Sequence, residues 1–230
     1  MKRHLRIRLG IGLLLLVLFP LLSRAQDAPF IKEYYLGAKG GMVFSRVKFK
    51  PNVEQNFYSG NSMGFVMRMI SEPHVGIQIE FNYLQKGWEE KPLAGSTQNY
   101  FHRINYLDIP IMTHANLGNG KYRFTLNVGP TVAILLSDSQ GMSPAEPGFP
   151  AIPPIAYWGK PIDTRVDFLF VGGIGSEYHF SRYAALALDV RAFYSLTNLY
   201  NSKNYGYDPS QTNGIQATLA YLFRVGKVKK

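Results

Sequence analysis

The sequence predicts an all-β fold: an eight-stranded antiparallel transmembrane β-barrel with short periplasmic turns and long extracellular loops. Three observations predict it. From Val75 to Lys86, Val75, Ile77, Ile79, Phe81 and Tyr83 alternate with Gly76, Gln78, Glu80, Asn82 and Lys86, a period of two that sorts them onto opposite faces of a strand. One face is continuously apolar and the other carries glycine, amide and charge, as expected of a barrel with lipid outside and a polar interior. Connections between such segments alternate between short and long, and strands of this kind recur about eight times, a number natural for the smallest membrane barrels.

Ahead of the barrel, Met1-Lys-Arg-His-Leu-Arg-Ile-Arg8 forms a basic start, followed by an apolar run from Leu9 to Leu22 and then Ser23-Arg24-Ala25. The run is shorter than the roughly 20 residues of a spanning helix, and small residues at Ser23 and Ala25 mark a cleavage site before Gln26. Residues 1–25 therefore read as a signal peptide and residues 26–230 as the barrel domain. Removing the signal takes away Lys2, Arg3, Arg6, Arg8 and Arg24 and no acid, so the formal charge of +10 falls to +5. Half of the apparent basicity is then export signal, which excludes nucleic acid as the expected partner. With no cysteine in the chain, an acylated anchor, a disulfide framework and a thiolate metal site are all excluded.

Strands are expected near Tyr34–Val47, Ser59–Ile70, His74–Trp88, Arg103–Leu117, Lys121–Ser137, Arg165–Phe180, Tyr183–Leu196 and Gln211–Val225. Ser71-Glu72-Pro73, Gly118-Asn119-Gly120 and Ser181-Arg182 supply tight turns, and residues 48–58, 89–102, 138–164 and 197–210 supply long loops. Pro110 lies inside the fourth strand, where it has no N–H for the ladder, so a bulge is expected there.

Alternation sends Leu107, Ile109, Ile111, Phe124, Leu126, Val128, Phe168, Phe170, Leu186, Leu188, Leu219 and their neighbours toward lipid. It sends Lys39, Arg68, Glu80, Asp108, Arg123, Asp167, Glu177, Asp189 and Arg191 inward as an interior charge network. A barrel this small has room only for side chains, so the inward glycines Gly37, Gly41, Gly64, Gly76, Gly129, Gly173 and Gly175 make space for long charged neighbours. Bases and acids nearly cancel, as burial demands. Aromatics at strand ends, among them Tyr34, Tyr35, Tyr83, Trp88, Tyr106, Tyr122, Tyr178, Tyr183, Tyr194, Tyr221 and Phe223, are expected to form interfacial girdles.

Chemistry-bearing motifs are sparse. Gly172-Gly-Ile-Gly175 lies in a strand with no helix after it, so it reads as packing room and not as a phosphate loop. His102 alone stands near the outer rim; Ser96, Thr97 and Asp163 could gather around it as a nucleophile and carboxylate, but long loops assemble such sets by chance and no enzyme is expected. No metal-ligand spacing or cofactor motif appears, and Glu89, Glu90 and Asp208 read as solvated loop charges. The loop Met142–Pro161 holds six prolines around Phe149, Tyr157 and Trp158. It is a stiff segment, exposed or folded over the barrel mouth, and those three aromatics are its candidate partner-binding anchors.

Taken together, Gly37-Ala-Lys-Gly-Gly-Met-Val-Phe-Ser45, Tyr83-Leu-Gln-Lys-Gly87, Tyr106-Leu-Asp-Ile-Pro110 and Val128-Gly-Pro130 resemble the PorT-like outer-membrane β-barrel family of Bacteroidota, over nearly the whole mature chain. The resemblance implies an eight-stranded outer-membrane barrel; the family's namesake is an accessory of type IX secretion. Three functions are therefore weighed. The leading one is a monomeric structural or surface-interaction barrel, embedded in outer-membrane lipid, that displays its loops to another envelope or surface protein. Behind it stand a small passive pore or secretion-accessory barrel, and a rim enzyme acting on lipid or peptide. A soluble lipocalin-type barrel would instead turn its apolar set inward.

Overall fold

The computed structural model describes residues 31–92, 98–118, 120–143, 158–201, 206 and 208–228. The signal segment, Ser96, Thr97, Phe149 and Tyr157 lie outside them. Eight long strands run β1 (Lys32–Phe49), β2 (Tyr58–Glu72), β3 (Val75–Glu90), β4 (Tyr100–Leu117), β5 (Tyr122–Met142), β6 (Val166–Tyr178), β7 (Ala184–Ser195) and β8 (Ser210–Val228). Each pairs antiparallel with its chain neighbours, and β1 closes on β8 through pairs such as Lys39↔Ala220 and Phe44↔Ile215. Closure leaves no open edge, which lets strands cross hydrocarbon with every backbone donor paired.

The expected strand centres hold, but several strands run further than expected. β3 reaches Glu90, β4 begins at Tyr100 and β5 extends to Met142, so the β4–β5 hairpin stays paired to Tyr100↔Met142. Since roughly 9–11 residues cross a bilayer, this 21-residue strand overhangs it. The expected loop 48–58 contains a two-residue strand, Gln55–Asn56, paired with Glu90 and Glu89. Gly118 and Gly120 adopt φ of 115° and 112° in the β4–β5 turn, a left-handed conformation natural to glycine.

No register shift occurs at Pro110. Pairing with β3 keeps one register from Ile79↔Ile111 to Asn82↔Asp108, and the bulge sits instead between Asn105 and Tyr106, opposite Ser137 and Leu135. The extra residue on β5 is Leu136, and it falls where the wall leaves its apolar band.

The apolar set faces outward: Phe65 is 68% exposed, Phe124 71%, Ile174 69% and Leu219 55%. Their alternating partners Arg68, Thr125, Asn127, Glu177 and Thr218 are buried, the reverse of a soluble ligand-binding barrel. On the short-turn rim, Tyr122, Tyr178, Phe180 and Tyr221 form a chain of ring contacts, with centroids 4.9, 6.5 and 6.1 Å apart. On the long-loop rim the outward belt is amide and hydroxyl: Gln85 Nε2 donates to Asn105 Oδ1 at 3.1 Å, and Asn105 Nδ2 to Ser137 Oγ at 2.9 Å.

Three expected girdle residues belong inside. Tyr35, Trp88 and Tyr106 are 4%, 0% and 0% exposed, because each shares the parity of an inward charge on its strand: Lys39, Lys86 and Asp108.

The outward face yields a direct prediction. Phe65→Arg, on the lipid wall opposite Ala38 and Phe81, should cost roughly 2–4 kcal/mol in a denaturant titration of folding into lipid vesicles. Unchanged stability would mean that this face does not meet hydrocarbon.

Candidate functional site

The barrel lumen is filled in three tiers. Near the short-turn rim Arg68 donates to Glu177 through Nη1 and to Gln78 Oε1 through Nε at 2.6 Å. Gln78 Nε2 passes the chain on to Glu80 Oε1 at 2.5 Å, and His179 Nε2 sits 3.2 Å from the other oxygen of Glu177.

Glu80 is the hub of the middle tier. It is fully buried, takes Lys39 Nζ at 2.5 Å, Arg191 Nη1 at 2.9 Å and Asn82 Nδ2 at 3.0 Å, and so joins three strands across the lumen. Arg191 holds Asp189 with Nε at 2.7 Å, and Asn127 Nδ2 donates to Asp189 at 2.7 Å while its Oδ1 meets His114 Nδ1 at 2.9 Å. Arg191 needs room to cross the barrel, and its cross-strand neighbour Gly173 gives it. A Cβ at that glycine would meet the Arg191 stem and strand backbone.

Higher up, Lys86 Nζ lies 3.0 Å from Asp167 Oδ2, 3.3 Å from Thr212 Oγ1 and 4.3 Å from the Tyr106 ring centroid. Asp167 also accepts the hydroxyls of Ser195, at 2.5 Å, and Thr197. Lys86 is an interior charge missing from the expected network, although alternation places it on the inward face. Within the tiers, adding it makes the bases Lys39, Arg68, Lys86, Arg123 and Arg191 equal in number to the acids Glu80, Asp108, Asp167, Glu177 and Asp189; Glu90 is a further buried acid above them. Eight of the nine expected charges are buried, and Arg123 is half-buried at the short-turn end. Asp108 has no ion pair among the described residues; it lines a small void of about 10 Å³ with Thr131, Arg191 and Gln216. That is room for about one water.

Above the charge tiers, apolar and aromatic side chains dominate the interior. Val43, Val47, Phe49, Leu84, Trp88, Ile104, Tyr106, Leu169, Leu199 and Tyr200 form a buried apolar cluster. The strands overhang the bilayer here, and a tube too narrow for bulk water packs best with rings. Trp88 lies at its centre, 4.7 Å from His102, 5.5 Å from Phe49 and 6.2 Å from Tyr200 between ring centroids.

His102 is part of this plug. Its Nε2 is 2.8 Å from Asp138 Oδ2, and its Nδ1 is 3.3 Å from both the Tyr100 and Tyr200 hydroxyls. Asp163, weighed as a carboxylate that could gather beside it, instead accepts the backbone N–H of Asn201 at 2.8 Å. Glu90, expected as a solvated loop charge, is buried and accepts the indole N–H of Trp88 at 2.9 Å and of Trp158 at 3.2 Å. Of the expected loop anchors only Trp158 is described. It is not a free anchor: it stacks on Tyr100 at 4.8 Å and 14°, folding the end of its loop over the mouth. The described residues contain no cluster of three or more His, Cys, Asp or Glu able to hold a metal.

The barrel is similar to several solved structures. They include the N-terminal β-barrel domain of Pseudomonas aeruginosa OprF, at 12% identity over 84% of this chain and 96% of that one with TM-score 0.44. The outer membrane protein OprG of the same organism is 9% identical over 84% and 93%, with TM-score 0.45. Ail, the attachment invasion locus protein of Yersinia pestis, is 11% identical over 83% and 99%, with TM-score 0.41. Among curated proteins none matches the sequence. The family model for the outer membrane protein beta-barrel domain matches residues 24–201, a span holding β1–β7 and the charged lumen just described, and the chain belongs to that family.

Proposed function

We propose that this outer-membrane β-barrel protein is a closed, non-conducting and non-enzymatic scaffold, whose long-loop rim engages another envelope or surface protein. The filled lumen carries this reading: ion pairs below and a ring-packed plug above leave the rim as the surface available for function. Loops on a rigid frame are where binding sites gather. The passive-pore reading ranks lower because it needs a path through those tiers. A rim enzyme ranks lower because His102, the base it would use, is fully buried with both ring nitrogens engaged. The basic, apolar and small-residue start of the chain supports export with cleavage before Gln26, and the four motifs at Gly37, Tyr83, Tyr106 and Val128 support placing the chain among PorT-like barrels of Bacteroidota.

Photo-crosslinking residues placed on exposed positions of the two rims test the scaffold reading in native membranes. Adducts with a second protein are expected from Lys50 and Lys160 on the long-loop side, and not from Lys121 and Arg182 on the short-turn side. Adducts confined to Lys121 and Arg182, or none from any position, would overturn it.

A further inference from the structure

We propose that the lipid-facing wall of β6, β7, β8 and β1 carries a binding site for one anionic, phosphate-bearing lipid of the outer leaflet. Its phosphate sits at Arg46 and Lys48, and an acyl chain lies in the cleft beneath them. The proposal does not depend on whether the loops bind a partner.

The site is built by strand register. One outward row runs Phe170↔Tyr194↔Asn213↔Arg46, and the row below it runs Val128↔Gly172↔Ala192↔Ile215. Gly172 and Ala192 put little side chain between Phe170 and Tyr194 above and Ile174 and Val190 below. A cleft of about 520 Å³ results, lined by Phe170, Gly172, Ala192 and Ile215. It continues into a second of about 510 Å³ that shares Gly172, Ala192 and Ile215 and adds Leu126, Ile174 and Val190. Its walls are outward apolar side chains that meet hydrocarbon.

The top of this cleft is cationic. Arg46 lies at its upper edge, with Nε donating to Asn213 Oδ1 at 3.3 Å and Cζ 5.2 Å from the centroid of the Phe57 ring. Those two contacts pin the guanidinium over the cleft. Arg46, Tyr194 and Asn213 also line a polar depression of about 670 Å³ above, where Lys48 and Lys91 join them. Glu54 is the carboxylate on that lining; it is 3.8 Å from Lys91 and both are exposed, and among the described residues neither Arg46 nor Lys48 has an ion-pair partner.

A cationic, amide-bearing head continuous with an apolar cleft matches a phosphate joined to an acyl chain. Arginine and lysine near a membrane surface attract such headgroups, and the guanidinium fork suits phosphate oxygens. A free anion would satisfy the upper depression and leave the cleft without a role.

Native mass spectrometry of the detergent-solubilised full chain tests this, with bisphosphorylated lipid A as the probe and its dephosphorylated form and inorganic phosphate as comparisons. The wild-type chain is expected to bind one bisphosphorylated lipid and to discriminate against the dephosphorylated form. The double variant R46Q/K48Q should bind roughly thirtyfold more weakly. Gly172→Leu should also weaken binding, because it fills the cleft. An added Cβ there meets nothing closer than a Val128 methyl at 3.8 Å, so the barrel should assemble, as heat-modifiable gel mobility will show. Ala192→Leu serves if it does not.

Equal binding of the dephosphorylated lipid, or wild-type affinity in both the head and the cleft variants, would overturn the proposal. Inorganic phosphate competing fully while the cleft variants bind normally would also overturn it, leaving a simple anion site.

Discussion

Glu80→Gln is expected to destabilise the barrel by roughly 3–5 kcal/mol, the usual effect of removing one partner from a buried ion pair. Glu80 is the only ion-pair partner of Lys39 among the described residues, and it also shares Arg191 with Asp189. Neutralising it leaves an ammonium inside a narrow lumen with an amide carbonyl in place of a carboxylate. The loss should be read as a lower denaturant midpoint for folding into vesicles, with the heat-modifiable band lost at lower temperature. Adding Lys39→Met should restore much of the stability, since the orphaned charge is then gone and Arg191 keeps Asp189. A Glu80→Gln variant within about 1 kcal/mol of wild type would mean that the lumen is hydrated enough to screen its charges.

Trp88→Ala is expected to cost about as much, roughly 3–5 kcal/mol, by a different route. The indole is fully buried against Phe49, His102 and Tyr200, and its N–H is held by Glu90. Truncation leaves a cavity whose walls are strand backbone and packed rings, so collapse cannot fill it. A smaller variant, Trp88→Phe, should recover part of the loss, because most of the ring contact returns. A loss below about 1 kcal/mol for Trp88→Ala would show that the mouth is loosely packed, and with it that the plug does not seal the barrel.

The fold was legible because alternation is a strong signal when one face must meet hydrocarbon. Gln78 and Glu80 are polar, Ile77 and Phe81 are apolar, and a one-residue slip would invert every choice. The interior charges followed from the same parity. Parity also decides Tyr35, Trp88 and Tyr106, which residue type and position along the strand place in the girdle. A girdle aromatic must share the parity of the lipid face, and these three do not. Lys86 escapes the network for a related reason: it stands near Trp88, where alternation alone ends the strand, although β3 continues to Glu90.

What parity does not encode is pairing across the lumen. Lys86 meets Asp167 from 81 residues away and Arg68 meets Glu177 from 109 residues away. Such partners depend on strand stagger and barrel radius. The bulge is not legible at Pro110 for a like reason. Pro110 lacks a donor, but the ladder absorbs that without a shift, and the irregularity falls at Asn105 and Tyr106.

The claim on which the account turns is that the lumen is closed, and electrical recording of the purified full chain in planar bilayers measures it most directly. Charge tiers at Glu80 and Asp167 beneath a ring-packed plug at Trp88 predict no steady single-channel steps across a range of voltages and salts. Stable, reproducible single-channel currents from the intact protein would contradict it.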